Sequence, residues 1–439
     1  MQRADSRGRR LRAAFVGVLE RMPWIGWAGW LAMCTVALMG VSPKRYGATF
    51  GVYIDYARTF FASEPLYDPA RIDAYLYWPV SLAVLGPFLP LDTVTAAIVA
   101  LALSAAMLSW ASYRLMQAML ADEPRANPLV LAGFLLLINI PAAWYNFKQV
   151  QAQTAMTAGM MLAAAAMMRG RWNIAPMWLF VSAAIKPLSV VMILLCGALQ
   201  PRLRLGMLTA LVTALALPFA FADAGYLIDE YRAWVLKLLH LSDARSGAWL
   251  YQADFATLLD SLGIALPGSL TKGVRFAAAF GTLLIAWRIA TIKDRLLFPL
   301  AVLMLTGCYC TLFGPRNEFL SFLILTPSVT ALGLYLLVRN LDDRRGWLLI
   351  VASLVLGFSI SLTIDRALKP AVVAAVYVWL IWLTLQPQRW HELMRGQSGP
   401  SMAGRTDYDV ADSVQDYSNG WSGWTMRRRN PIPDRRRTD

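Results

Sequence analysis

Histidine, cysteine and charge are all scarce in this sequence. The two histidines are His240 and His391, and the four cysteines (Cys34, Cys196, Cys308, Cys310) lie inside apolar runs with no histidine at ligand spacing. That pattern argues against a structural metal and against a disulfide framework. Only 15% of the 439 residues are charged and 58% are hydrophobic, whereas a soluble domain averages about 25% charged. The expected solvent is a lipid bilayer. Walker-type and dinucleotide glycine patterns, H-E-x-x-H and G-x-S-x-G are absent as well, which removes the usual signs of nucleotide, zinc and serine chemistry. The first apolar stretch has no A-x-A-like exit and runs on into Val41-Ser42-Pro43-Lys44. It is therefore expected to be a retained span, not a cleaved signal.

The formal charge is +14, yet the basic residues come in short clusters between apolar runs with no extended basic face, so nucleic acid is not an expected partner. The apolar runs predict twelve membrane spans: 24–41, 93–113, 128–144, 151–168, 173–186, 187–199, 205–222, 272–288, 296–313, 319–338, 347–364 and 370–386. With the N-terminus inside, every short inside connection carries at least two of Arg114, Arg125, Arg169, Arg171, Arg202, Arg204, Arg288, Lys293, Arg295, Arg339, Arg344 and Arg345. The positive-inside rule then places both termini in the cytoplasm. The pair 173–186 and 187–199 is too short for two full spans, since about 20 residues are needed. It reads as a short hairpin broken at Lys186-Pro187, and such a break is tolerated at membrane depth only where it is packed in protein or lines a wet cavity.

Two outside loops are long, 42–92 and 223–271, and chemistry is expected on them. In the first, Tyr53, Tyr56, Phe60 and Phe61 recur at helical spacing around Asp55 and Arg58, which predicts an interfacial helix whose aromatics anchor it in the outer leaflet. The following YLYWPVSLAVLGPFLP is apolar but short and bounded by proline, as in a re-entrant or juxtamembrane helix. The second loop holds two amphipathic stretches, YLIDEYRAWVLKLLHL and SGAWLYQADFATLLDSLG, suited to lying in the interface. Residues 1–387 are thus expected to form one transmembrane catalytic domain. Residues 388–439, rich in Arg, Asp, Ser and Gly, have the composition of a disordered cytoplasmic tail whose Arg triplets meet anionic membrane lipids.

Ionisable groups beside spans are the first candidates for function. Asp55 lies nearest the membrane and can serve as a general base for a hydroxyl nucleophile, or it can be a plain interfacial charge paired with Arg58 at i, i+3. Lys186, at the helix break, can meet a phosphate as a point charge or snorkel to the headgroups. Arg316, after Gly314-Pro315, can clamp the same phosphate with Glu318 orienting it, or the two can form a structural ion pair. Lys148 and Gln149, with Gln151 and Gln153, form a polar rim able to hold hydroxyl groups or to glue helices together. Glu64, Asp68 and Asp73 can replace Asp55, and Asp365, Arg366 and Lys369 close the outside set. His240 is an ordinary interfacial residue and His391 falls on the cytoplasmic tail.

Several of these pieces, taken in order, resemble the polytopic glycosyltransferases of the GT-C type that use polyprenyl-phosphate sugars, most of all glycosyltransferase family 87, which contains bacterial mannosyltransferases. They are Asp55 in VYIDYARTFFASEPLYDP, then YLYWPVSLAVLGPFLP, the Gln-rich start of the 151–168 span with its Arg-Gly-Arg turn, and AAIKPLSVVMILL around Lys186-Pro187; GPRNEF occupies the position of a polar outside turn. Some members carry histidine where this chain has Arg316-Asn317-Glu318. The resemblance implies an all-α, GT-C-like fold of about twelve spans with extracytoplasmic interfacial helices. It also implies an inverting transferase whose donor is a polyprenyl-phosphate sugar, with Asp55 as base; taken with the residues above, the expected sugar is mannose first and the expected substrate-binding set is Arg58, Lys148, Gln149, Lys186, Arg316 and Glu318. The acceptor would be a lipid-linked or envelope glycan on the outer face of a bacterial inner membrane, and no metal or other cofactor is required. The rival reading is a lipid-linked-glycan flippase or other transporter, with polar groups at the midplane and broken helices in both halves. A third is a scaffold whose long loops bind partner proteins. One outward pocket containing Asp55 and Lys186 favours the enzyme, and a central through-cavity favours transport.

Overall fold

A computed structural model describes residues 22–42, 48–67, 75–124, 126–241, 253–292, 294–314, 319–386, 388–390 and 393. The described residues fold into α-helices joined by short 3₁₀ turns, with no β-strand among them. In chain order the helices are α1 (Ile25–Met39), α2 (Ala48–Phe61), α3 (Pro79–Leu85), α4 (Thr93–Met119), α5 (Pro128–Lys148), α6 (Gln153–Met168), α7 (Ile174–Ile185), α8 (Val190–Leu199), α9 (Pro201–Ala216), α10 (Ala224–Leu241), α11 (Phe255–Ser261), α12 (Gly268–Ala290), α13 (Leu297–Leu312), α14 (Thr326–Arg339), α15 (Arg344–Gly357) and α16 (Leu362–Leu385). Their starts are set by local chemistry. The Asp92 carboxylate accepts from the Val94 and Thr95 amides ahead of α4, and Asn127 caps α5 with Pro128 as its first helical residue.

Among the described residues five helices are long and apolar enough to cross a membrane: Thr93–Met119, Pro128–Lys148, Pro201–Ala220, Gly268–Ala290 and Thr363–Leu385. Shorter apolar helices include α1, α7, α8 and α13. Leu205, Leu208 and Val212 on α9 and Phe276, Phe280 and Trp287 on α12 are exposed, and a lipid solvent removes the penalty that water would impose on such faces. The chain is thus an all-α membrane protein.

At the centre stands α6, in which Ala155 alone is not fully buried. Its small residues let neighbours approach closely: a Cβ on Gly159 would meet Ser182 of α7 at 2.8 Å. The Ser182 hydroxyl donates to the Met156 carbonyl at 2.8 Å, joining the start of α6 to the end of α7. The predicted hairpin is present. The Leu188 carbonyl meets Cys310 at the far end of α13, whereas Cys196 meets Met167 at the far end of α6, so α8 runs back toward the face that α7 left. On that face Arg295 pairs with Asp122, and Arg339 with Glu123 at 2.8 Å.

Several expectations shift. The 93–113 helix continues to Met119, and the 319–338 segment opens as a 3₁₀ turn (Phe319–Ile324) before α14. The boundary expected between 364 and 370 falls instead at 358–361, because Ser361 caps the Ile364 amide and α16 runs on through Pro370. Asp365 and Lys369, read from sequence as loop charges, lie inside this helix and pair with each other.

The first long loop forms the expected helices, but the anchoring role of its aromatics is overturned in part. Tyr53 and Phe60 are buried together with Ile54 and Ala57, so this stripe of α2 faces protein. Tyr53 packs against Tyr75 and Tyr77 of the same loop, and Phe60 meets Tyr226 of the second. Tyr226 donates to the Glu64 carbonyl at 2.8 Å, Glu230 accepts from the Leu66 amide at 3.2 Å, and Trp234 donates to the Leu76 carbonyl at 3.0 Å. Helix α10 thereby covers the first loop. Of the predicted tail only 388–390 and 393 are described, with Arg389 over the Trp382 ring at 4.5 Å.

Candidate functional site

The helix break builds the site. Proline has no N–H, so Pro187 leaves the Ala183 carbonyl without its i+4 donor, and the Trp78 indole N–H takes that place at 2.9 Å. The last helical bond runs from the Lys186 amide to the Ser182 carbonyl at 3.0 Å, and Lys186 turns extended at φ −152°, ψ 122°, as a residue before proline is pushed to do. The carbonyl freed at the break is thus satisfied by a side chain from the first loop.

Lys186 reaches a cavity of about 1120 Å³. At one end it is lined by Lys186, Lys272, Arg275, Asp254, Asn146, Gln151, Gln153 and the aromatics Tyr53, Tyr77, Trp78, Trp234 and Tyr309. From there an apolar arm follows α7, α8 and α9 past Leu179, Phe180, Val191 and Ile193 to Pro176 and Met207. Val190, Leu194 and Leu211 line this arm and are exposed, so the arm is open along α8 and α9 and not sealed.

A hydrogen-bonded rim organises the polar end. Helix α5 stops at Lys148, and Val150 adopts the left-handed conformation with φ 50°. That conformation costs a β-branched residue on the order of 1–3 kcal/mol and persists only where the surroundings enforce it. The turn brings Gln149 and Gln151 together: Gln151 Nε2 donates to Gln149 Oε1 at 3.0 Å, and the Tyr53 hydroxyl donates to Gln151 Oε1 at 3.0 Å. The Tyr53 and Tyr77 hydroxyls are 3.1 Å apart, and Lys186 Nζ stands 5.4 Å from the centre of the Tyr77 ring, within reach of a cation–π attraction. No carboxylate pairs with Lys186 among the described residues.

Asp254 is the one acidic side chain among the cavity-lining residues described. It is buried, caps α11 through the Thr257 amide at 3.0 Å within a capping box, and lies 3.6 Å from Arg275 Nη2. Lys272 and Arg275 share one face of α12 at i, i+3. Among the described lining residues Lys186, Lys272 and Arg275 are cationic and Asp254 is the one carboxylate, a set suited to an anion such as phosphate.

Of the residues singled out from sequence, the structure places Lys186 in this cavity, with Gln149 behind Gln151. Lys148 is half-buried at the end of α5 and lines no part of the cavity. Asp55 lies outside the cavity lining: its side chain is 72% exposed and pairs with Arg58 at 3.1 Å on the outer stripe of α2. Tyr53 and Asp55 are two residues apart, about 200° around the helix, so placing Tyr53 in the cavity turns Asp55 away. Arg316 and Glu318 lie outside the described residues, between Gly314 and Leu320, which do line the cavity. Asp365 and Lys369 are buried elsewhere, in α16. Sequence reading passed over Asn146, Asp254, Lys272 and Arg275. The Asp254-x-x-Thr257 capping-box spacing and the i, i+3 cations on α12 were the available signals.

No protein-family model matches the chain, and comparison with curated proteins gives no match.

Proposed function

We propose that the chain is an inverting glycosyltransferase of the extracytoplasmic membrane face, moving a sugar, mannose first, from a polyprenyl-phosphate carrier to a lipid-linked or envelope glycan. The observation that carries this reading is the division of one cavity into a cationic, aromatic, amide-lined end and an open apolar arm along α7, α8 and α9. A polyprenyl-phosphate sugar has the same division: a long apolar chain, an anionic phosphate and a neutral polyol. Twelve spans with both termini cytoplasmic and a GT-C-like fold belong to the same proposal.

In this reading the isoprenoid occupies the arm along α7, α8 and α9, Lys186 and Lys272 hold the phosphate, and Arg275 holds Asp254 in place. The acceptor oxygen attacks the anomeric carbon from the face opposite the phosphate. The bond from that carbon to the phosphate oxygen breaks, and polyprenyl phosphate leaves with the electron pair. Negative charge grows on the phosphate as the bond breaks, so fixed cations stabilise the transition state more than the ground state. The acceptor proton goes to a carboxylate. Asp254 takes that role here, in place of Asp55, because it lines the cavity.

The test is transfer of labelled sugar from synthetic polyprenyl-phosphate donors, mannose first and then other hexoses and pentoses, by the full chain reconstituted in lipid. Transfer by wild type, with donor affinity reduced at least about tenfold in Lys186→Met, about 1.4 kcal/mol, supports the proposal. Absence of transfer from every donor, with movement of a lipid-linked glycan across the vesicle bilayer, overturns it in favour of a flippase.

A further inference from the structure

The apolar arm of the cavity has a length and an end. On α7 it is lined by Pro176, Leu179, Phe180 and Ala183, an i, i+3, i+4, i+7 stripe of one helix face. On α9 the lining residues Met207, Ala210, Leu211 and Ala214 repeat the same spacing. Near the helix break, Ala183 and Ala214 share a small buried cluster with Trp78. At the far end the helices close on each other: a Cβ on Gly206 would meet Pro176 Cγ at 2.8 Å, and a Cβ on Gly197 of α8 would meet Met207 Sδ at 3.3 Å. Just beyond, Arg204 donates to the Gly197 and Ala198 carbonyls, both at 3.0 Å, and ties α9 to the end of α8. The two levels are the same number of residues apart on both helices, from 176 to 183 and from 207 to 214. Lys186 stands one turn further out, which puts about 15 Å of helical rise between it and Pro176.

A carbon chain with bonds near 1.5 Å advances on the order of 1.25 Å per bond, so this length holds about twelve chain carbons, the backbone of about three isoprene units. We propose that the arm is an end-stopped slot for about the first three isoprene units of the lipid-phosphate donor, with Met207 as the stop and Ala210 setting the width midway. This rests on the lipid-phosphate reading and deepens it. Lys186 fixes where the tail begins, and Met207 fixes where the slot ends. A tail that leaves the bilayer for the arm gains little hydrophobic free energy, because lipid chains are as apolar as the lining. The slot therefore reads the position of each unit through fit. Val190, Leu194 and Leu211 leave its side open along α8 and α9, so a longer tail passes out to the bilayer after the third unit and is not rejected.

The test uses the full chain in lipid nanodiscs and tetraprenyl phosphates that carry one photoreactive diazirine, in the first, third or fourth unit. In wild type the first-unit probe should label the level of Ala183 and Ala214, the third-unit probe the level of Met207, and the fourth-unit probe mainly nanodisc lipid. Ala210 is half-buried, so Ala210→Trp blocks the slot midway; third-unit labelling at Met207 should fall at least about tenfold while first-unit labelling persists. Met207→Ala should draw the fourth-unit probe into the protein, a gain that misfolding cannot produce. First-unit labelling as expected, with third-unit labelling that ignores Ala210→Trp or fourth-unit labelling at Met207 as strong as third-unit, overturns the slot and leaves the lipid-phosphate reading standing. The matching tetraprenyl alcohols separate the two: labelling by the phosphates alone supports both, and equal labelling by the alcohols, with the same dependence on Ala210, keeps the slot and removes the lipid-phosphate reading. Absence of arm labelling by every probe overturns both.

Discussion

Lys369 Nζ stands 3.9 Å from Asp365 Oδ2, one turn apart on α16, with both side chains no more than 2% exposed. Asp365 also accepts from the Ser359 hydroxyl and from the Ile360 amide at 3.2 Å, and Lys369 lies 5.5 Å from the centre of the Phe322 ring. Removing one partner of a buried pair strands the other charge and costs about 3–5 kcal/mol, whereas replacing both with apolar residues is often neutral. Lys369→Met should therefore lower unfolding stability by that amount, and Lys369→Met with Asp365→Leu should recover most of it. Denaturation in micelles checks this, and a double variant as unstable as the single would show that the pair acts through separate contacts.

Asp254 and Asp55 make opposite predictions for catalysis. Asparagine caps helices as well as aspartate does, so Asp254→Asn keeps α11 while removing a proton acceptor, and activity should fall by about 10²–10⁴-fold. Asp55→Asn removes only an exposed pair with Arg58 outside the cavity lining, and activity should stay within about fivefold, since such pairs contribute about 0–1 kcal/mol. The reverse outcome in a sugar-transfer assay would return the base role to Asp55.

Glu230 gives the docking of the two long loops a pH dependence. Burial raises its carboxyl above the ordinary range near 4.5, with the neighbouring Asp229 adding to the rise and the Leu66 and Tyr67 amides opposing it. A carboxyl raised by folding favours the protonated state, so its contribution is fully present below the ordinary carboxylate pKa and is lost as pH rises through the raised one. Hydrogen exchange at the Leu66 and Tyr67 amides should quicken across that window in wild type. Glu230→Gln should flatten the profile, and an unchanged profile in the variant would assign the effect to another group.

Helices α1 and α5 touch through glycine. A Cβ on Gly26 would run into the backbone carbonyl of Gly133, which has no freedom to move aside. Gly26→Ala should destabilise the protein by about 1–3 kcal/mol through overpacking, seen as a lower thermal midpoint. A neutral result would show that α1 shifts outward at little cost.

Composition and hydropathy alone determined that this is an all-helical membrane protein with two long loops and a helix broken at Lys186-Pro187. Those features are local: apolar runs, proline geometry and capping residues act over a turn or two. Tertiary packing decided which residues meet. Tyr53 went inward and Asp55 outward because the Tyr75 and Tyr77 rings and Gln151, just beyond the end of α5, pack on one stripe of α2. Asp365 and Lys369 entered a helix because each neutralises the other there. Asp254 and Arg275 line the same cavity as Lys186 only because the end of the second loop and the start of α12 pack there, far along the chain from α7. Periodicity states which residues share a face of a helix, but the neighbour that buries that face is a long-range contact, and no local pattern encodes it.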